Sequence, residues 1–210
     1  MDVDLVVPLK HPREGKSRLR GAVAADRHAE LVLALAQDTL TAVTSVAGVR
    51  RVLVVAAEPG ALPMLAGLGV ELVEEPVAGG LNEALRYGAE LLRADSPRGL
   101  VGALQADLPA LRAGDLARAL SEADGRRAVV ADRQGTGTTL LLAAPGAPLD
   151  PHFGAGSARL HVESGAVPLS GELPSLRSDV DTPDDLRHAA TLGLGKRTAA
   201  LLPAESAPVR

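Results

Sequence analysis

An α/β fold is what this sequence predicts: a single-domain, Rossmann-like architecture with a mostly parallel central sheet flanked by helices. Two observations carry it. Apolar runs rich in Val and Leu alternate with segments of helical periodicity from Asp4 to Ala131, the pattern of strands joined by crossover helices. At 210 residues with 46% hydrophobic content, the chain is long enough for one well-buried domain and short for two.

The elements follow in order. Asp4 to Leu9 reads as a first strand and Asp26 to Val46 as a long helix with an acidic start. Arg51 to Ala57 is a second strand, Leu62 to Leu68 a short helix and Val70 to Glu74 a third strand. Asn82 to Ala94 is helical, Gly99 to Gln105 a buried strand, Gly114 to Glu122 helical and Ala128 to Ala131 a strand. After Thr139 the pattern changes: Leu140 to Ala144 reads as a strand, Ser157 to Ser164 as a short helix, Val167 to Leu169 as a strand and Pro183 to Leu192 as a last helix. The domain is therefore expected over residues 1–194. Residues 195–210 show no apolar periodicity and are expected to fray as a flexible tail.

Composition narrows the function. With no Cys, a disulfide framework, a thiolate zinc site and a Cys nucleophile are excluded, which fits a reducing cytosol. No apolar run approaches a membrane span of about 20 residues, and no signal peptide precedes the first strand, so a cytoplasmic protein without a membrane partner is expected. The net charge is −4, and Tyr87 and Phe153 are the only aromatics. The chain therefore lacks the basic field and the stacking platform of a nucleic-acid binder. Of the 22 basic residues only Lys10, Lys16 and Lys196 are lysines. Where Arg has displaced Lys almost everywhere, the pair Lys10 and Lys16 suggests sites that want a compact ammonium on a flexible stem.

In sheets of this kind ligands bind beyond the carboxyl ends of the strands. Three segments fall there: Pro8 to Arg20, Asp107, and the loop at Gly135. Gly15-Lys16-Ser17 ends like a phosphate-binding P-loop, but that motif needs glycine at position 10, where Lys10 stands. No G-x-G-x-x-G opens the first crossover either. The five histidines have no metalloprotease spacing and are expected mostly at the surface. What remains is a distributed set. Lys10, Lys16 and Arg20 are candidates to neutralise a triphosphate, with Lys10 and Lys16 the catalytic candidates. Gly79-Gly80-Leu81-Asn82 is a flexible turn into a helix, suited equally to contacting a nucleotide through Gly80 and Asn82 or to capping. Asp107 ends a buried strand, where a carboxylate is costly unless paired with a cation.

The late cluster adds an anion site and more carboxylates. Gly135-Thr136-Gly137-Thr138-Thr139 and Phe153-Gly154-Ala155-Gly156-Ser157 are small-residue loops, the second opening a helix whose free N–H groups favour an anion. With Thr139 nearby in the fold, Gly154 and Ser157 are candidates to hold a phosphate or carboxylate through backbone and hydroxyl donors. In Asp179-Val180-Asp181 the two acids point the same way in extended chain and can reach one hard cation, the alternative being a solvated turn. Thr182 suits an N-cap and Pro183 the first helical position, so Asp184 and Asp185 are read as structural.

The order of these motifs, from Pro8-Leu9-Lys10 and Lys16-Ser17-Arg18-Leu19 through Ala106-Asp107-Leu108-Pro109 and Phe153-Gly154-x-x-Ser157 with His161 to Asp179-Val180-Asp181-Thr182-Pro183, resembles the phosphoenolpyruvate or 2-phospho-L-lactate guanylyltransferase family of coenzyme F-420 biosynthesis. The resemblance implies a nucleotidyltransferase fold of the GT-A type and GTP as a substrate. It implies Mg2+ on Asp107, Asp179 and Asp181, and a small phosphorylated three-carbon acid on Thr139, Gly154 and Ser157. Where archaeal members read Gly-Thr-Asn, this chain reads Gly137-Thr138-Thr139. The reaction so implied joins the acid's phosphate to the α-phosphorus of GTP with release of pyrophosphate, the product passing to a downstream transferase. Phosphoenolpyruvate is the preferred acid, with phospholactate, a sugar transfer on the same fold and a non-catalytic nucleotide-binding regulator as alternatives. A homodimer is compatible with the sequence.

Overall fold

The computed structural model describes residues 2–11, 16–76 and 80–202. Its elements are β1 (Val3–Leu9), α1 (His28–Thr44), β2 (Val49–Ala56), β3 (Glu71–Glu74), α2 (Gly80–Asp95), β4 (Leu100–Leu104) and α3 (Ala113–Ala123), followed by β5 (Ala128–Ala131), β6 (Thr138–Leu142), α4 (Ser157–Glu163), β7 (Val167–Pro168), α5 (Pro183–Leu192) and α6 (Lys196–Leu201). The strands form one sheet in the order β3-β2-β1-β4-β6-β5-β7. β1, β2, β3 and β4 run parallel, and β6 runs antiparallel to both β4 and β5. The predicted mostly parallel sheet is thus present, with the change of pattern after Thr139 appearing as one reversed strand.

Successive side chains of a strand point to opposite faces, so the sheet feeds two cores. Leu5, Val54, Leu104 and Leu142 pack with Leu40 of α1 and Leu116 of α3. Their neighbours Val6, Val55, Val101 and Leu141 pack with Leu85 and Leu92 of α2 and with Phe153 on the other face. Gly88 of α2 lies against Val6 and Val55, and a Cβ there would come within 2.6 Å of Val6. That glycine lets α2 sit close to the sheet. A third cluster joins Leu31 and Leu35 of α1 to Val180, Leu186 and Leu201, fastening the last two helices.

Beyond shifts of one or two residues at several element ends, four differences from the sequence reading have a physical cause or consequence. The long helix starts at His28 rather than Asp26, because Ala25–Arg27 forms a separate 3-10 turn with no side-chain cap. The segment Pro63–Leu68 is 3-10 throughout rather than an α-helix. It is too short, and too interrupted by glycine, to repay α-helix nucleation. β6 begins at Thr138, ahead of the expected Leu140. The largest difference is the expected tail: Lys196–Leu201 is helical, with Thr198 and Leu201 buried. Its cap comes from another helix, since Asp38 of α1 accepts the backbone N–H of Arg197 at 3.2 Å and of Thr198 at 2.7 Å. The domain therefore continues past residue 194, and residues 203–210 lie outside those described.

Candidate active site

β1 carries Pro8, which has no N–H to give a ladder, and the β1–β4 pairing ends before it, at Val6 and Ala103. The two strands part there, and a cleft of about 590 Å3 opens between their carboxyl ends, lined by Lys10, Lys16, Arg18, Gly80, Asp107 and Asp181 among others. This is the strand edge at which the sequence placed the ligand.

Asp107 is fixed through its backbone from two directions. Thr39 of α1 accepts the Leu108 N–H at 2.9 Å, and the Asp107 carbonyl accepts the Val180 N–H at 3.0 Å. The second bond brings the Asp179–Asp181 segment alongside, 72 positions later in the chain than Asp107. Lys16 then closes the group, its Nζ donating to Asp107 Oδ2 and, at 2.5 Å, to Asp181 Oδ1. Arg18 adds a bond to Asp181 Oδ2 at 2.7 Å. Lys16 makes this reach from a left-handed backbone conformation, φ +56°, which a residue with a Cβ adopts at a cost of about 1–3 kcal/mol. Burial alone would lower the pKa of the Lys16 ammonium, but the charges of Asp107 and Asp181 outweigh it and hold the pKa above its usual value.

Asp179 is half-buried beside them. Burial first, and the charge of Asp107 next, push its carboxyl up to about 7, with Lys16 opposing. The opposite oxygen of Asp107, Oδ1, is buried and has no hydrogen-bond partner. Hard carboxylate oxygens, one of them unsatisfied, and a third acid whose pKa is raised by burial and then by like charge suit a divalent cation with oxygen ligands. Among the described residues the acids are not gathered into a set of three able to hold a metal by themselves, and Lys16 stands between two of them. Mg2+ commonly takes only one or two carboxylates and completes its shell with water and phosphate oxygens, so the residues fit that ion.

The other candidates are distributed as follows. Lys10 is exposed on the cleft, whereas Arg20 is exposed and does not line it. Gly80 opens α2 at φ +72° on the cleft wall, and Gly79 lies outside the described residues. Asn82 uses its side-chain amide on Phe153, accepting its N–H at 2.8 Å and donating to its carbonyl at 3.0 Å. It joins the cleft wall to the Phe153 loop. The Gly135 segment is the β5–β6 turn, and Asp132 accepts the N–H groups of Thr136 and Gly137, each at 2.8 Å. The amides of this small-residue loop are thus taken by the protein itself. Thr139 is buried, its hydroxyl 3.4 Å from the Val130 carbonyl. Gly154, at φ +137°, has nothing within 4 Å of where a Cβ would stand, and Ser157 is buried behind it, donating to Thr138 Oγ1 at 3.1 Å.

Asp184 and Asp185 are structural, as expected. Thr182 and Asp185 form a capping box, with Pro183 opening α5. The expectation of surface histidines fails at His28 and at His161, the latter wholly buried and bonded to Thr138. Sequence reasoning gave no role to Arg18, although it stands in the Lys16-Ser17-Arg18-Leu19 motif, and it missed Thr39, which reads as an ordinary position in an apolar helix.

The family described as guanylyl transferase CofC-like matches residues 3–203. A phosphoenolpyruvate guanylyltransferase of Salinispora arenicola is 48% identical over 200 residues, 94% of this chain and 92% of that protein. One from Streptomyces scabiei is 50% identical over 206 residues, 95% of each. Among solved structures, a nucleotidyl transferase from Methanothermobacter thermautotrophicus superposes with a TM-score of 0.61 at 23% identity, covering 91% of this chain and 97% of its own. At that identity the likeness shows the fold.

Proposed function

Because this chain belongs to the guanylyl transferase CofC-like family, we propose that it condenses GTP with phosphoenolpyruvate. An oxygen of the phosphoenolpyruvate phosphate bonds to the α-phosphorus of GTP as the bond from that phosphorus to the β-phosphate oxygen breaks. The products are enolpyruvoyl-diphospho-guanosine and pyrophosphate. The observation that supports this reading most directly is the charge arrangement at the mouth of β4, a lysine ammonium held between Asp107 and Asp181 inside an open cleft.

The attacking group needs no general base, since the second pKa of a phosphomonoester is about 6 and its oxygens are already ionised near neutrality. Positioning and charge neutralisation remain to be supplied. Lys16 and Lys10 neutralise the triphosphate, Lys16 as a charge held at the cleft floor and Lys10 from the rim. Gly80 permits close approach of the nucleotide to the start of α2, and Asn82 fixes that wall against the Phe153 loop. Asp107, Asp179 and Asp181 would hold Mg2+, which would supply positive charge to the phosphate oxygens. Gly154 presents its open side to the phospho-acid, with Ser157 and Thr139 behind it. All of these residues come from one chain, so the reading is the same for a monomer and a homodimer. Both substrates are charged metabolites that do not cross a bilayer unaided, which supports a cytoplasmic location. The activated diphosphate ester suits a downstream transferase that displaces GMP.

Mass spectrometry of products after incubation with GTP, Mg2+ and either phosphoenolpyruvate or 2-phospho-L-lactate tests the reading. The expected result is pyrophosphate and a guanosine diphosphate ester from phosphoenolpyruvate. Product from phospholactate alone would reassign the acceptor, and none from either would reject nucleotidyl transfer to such acids.

A further inference from the structure

His161 is the one wholly buried histidine among the described residues, and the chemistry above makes no use of it. Its ring nitrogens hold two different pieces of the acceptor side. Nε2 accepts the backbone N–H of His152 at 2.9 Å, and Nδ1 lies 2.9 Å from Thr138 Oγ1, which also receives the Ser157 hydroxyl. The ring packs on Phe153 in a T-shaped arrangement with centroids 5.0 Å apart. We propose that His161 is a positioning residue for the phospho-acid, locking the His152–Gly154 loop with one nitrogen and the Thr138–Ser157 hydroxyl pair with the other. The proposal rests on the reading that Gly154 and Ser157 receive that acid.

The direction of this network is dictated by the backbone. A peptide N–H can only donate, so Nε2 must be the unprotonated nitrogen, and a neutral imidazole then carries its hydrogen on Nδ1. Thr138 is therefore an acceptor from His161 and keeps its own hydroxyl hydrogen free. In the resting structure Ser157 also donates to Thr138. Hydroxyl hydrogens rotate, so when an anion approaches, Thr138 turns its hydrogen to Ser157 and Ser157 turns its own to the anion. The opposite tautomer would set two donors against each other at His152 and occupy the Thr138 hydrogen.

The surroundings keep the ring neutral. Burial, then the guanidinium of Arg127 and the neighbouring His152 ring, push His161 down to about 4, with Asp150 the opposing charge. Arg127 also holds the start of the loop, donating to the Leu149 carbonyl at 2.6 Å and the Asp150 carbonyl at 2.9 Å. With Asn82 on Phe153 and Arg86 donating to the Pro151 carbonyl at 3.5 Å, every residue from Leu149 to Phe153 has a polar contact from outside the loop. Gly154 is the first that is open.

The test is steady-state kinetics of His161→Phe, varying phosphoenolpyruvate and GTP separately, with Gly154→Val as reference. We expect His161→Phe to raise KM for phosphoenolpyruvate about tenfold, the size of one lost hydrogen bond, and to leave KM for GTP unchanged. His161→Asn serves if the Phe variant does not fold, since it still donates to Thr138 but is too short to hold His152, and the same selective rise is expected. A folded variant with both constants unchanged, or with both raised alike, overturns the proposal while the acceptor reading stands if Gly154→Val raises KM for phosphoenolpyruvate. If Gly154→Val raises KM for GTP instead, the acceptor reading itself fails. Imidazole 15N NMR is an independent check. Hydrogen on Nδ1 and none on Nε2 between pH 5 and 8 is expected, and the other tautomer overturns the proposal whatever the kinetics.

Discussion

Val180 donates its backbone N–H to the carbonyl of Asp107 at 3.0 Å, and that single bond sets two distant acidic segments side by side. Asp179 and Asp181 flank the donor, so their carboxylates are delivered to Asp107 without any contact between the acids themselves.

Asp181 and Asp185, four residues apart, should therefore separate on mutation. Asp181→Asn removes a charge from the site and should lower turnover by about 10²-fold or more, with an unchanged melting temperature. Asp185→Asn weakens the α5 capping box and its bond to Arg133, a loss of up to about 1 kcal/mol, and should lower the melting temperature while sparing most turnover. Thermal denaturation and kinetics on both variants check this. Equal losses of turnover would reject the division between site and cap.

Lys16 and Lys196 provide the second contrast. Lys196 is exposed at the start of α6, far from Asp107 in role, whereas Lys16 is ion-paired in the cleft. Lys16→Ala should cost about 10²-fold in kcat/KM for GTP, and Lys196→Ala should be silent. Similar mild effects would remove Lys16 from the triphosphate.

Asp179 makes a prediction about pH. Its folded pKa of about 7 lies above the ordinary 3.8, so between those values the folded chain holds a proton that the unfolded chain has released. Stability should fall as pH rises across that window and level off above it. Asp179→Asn removes the effect, so it should raise the melting temperature at pH 8 and change it little at pH 4. Mg2+ affinity in the presence of GTP should rise through pH 7 as the carboxylate ionises. A variant with the same melting temperature as the parent at both pH values would contradict this.

Asp38 tests the packing of the last helix. Asp38→Ala strands the N–H groups of Arg197 and Thr198, at a cost of about 1–3 kcal/mol for buried donors. Hydrogen exchange over residues 196–201 should accelerate well beyond that of α2. Protection equal to the parent's would mean that Leu201 and its apolar neighbours hold α6 without the cap.

Whether a feature could be read from the sequence depended on how far apart its partners lie. The capping box at Thr182, Pro183 and Asp185 is complete within four consecutive residues, and the first strands announce themselves by their Val and Leu runs, so both were legible. α6 was not, because its cap is Asp38 on another helix and six residues are too few to show periodicity. The direction of β6 was equally hidden, since Thr138–Leu142 has the same apolar character whichever way it runs. That the amides near Gly135 are occupied was hidden too, because the acid that takes them, Asp132, precedes the motif and resembles any turn residue. Asp107, Asp179 and Asp181 stood out as candidates by residue type and spacing, while the lysine bridge between Asp107 and Asp181 depends on a backbone bond no local pattern encodes. His161 joins positions 138 and 152, and in sequence it is one histidine among five.

The reversal of β6 has a consequence for how such an enzyme can diversify. Because β6 runs against β4, its first residues lie where β4 ends, with Gln105 donating to the Thr139 carbonyl at 3.0 Å, and the β5–β6 turn arrives at the same rim as the parallel strands. On the proposed division of substrates, the nucleotide is served by chain before Leu108 and the acceptor by chain after Ala131, the late carboxylates excepted, and contacts such as Asn82 to Phe153, Arg86 to Pro151 and Gln105 to Thr139 tie the two parts together. Substitutions or loop-length changes between 132 and 157 can then alter the acceptor while the nucleotide half keeps its register. Such a scaffold can inherit one substrate and exchange the other.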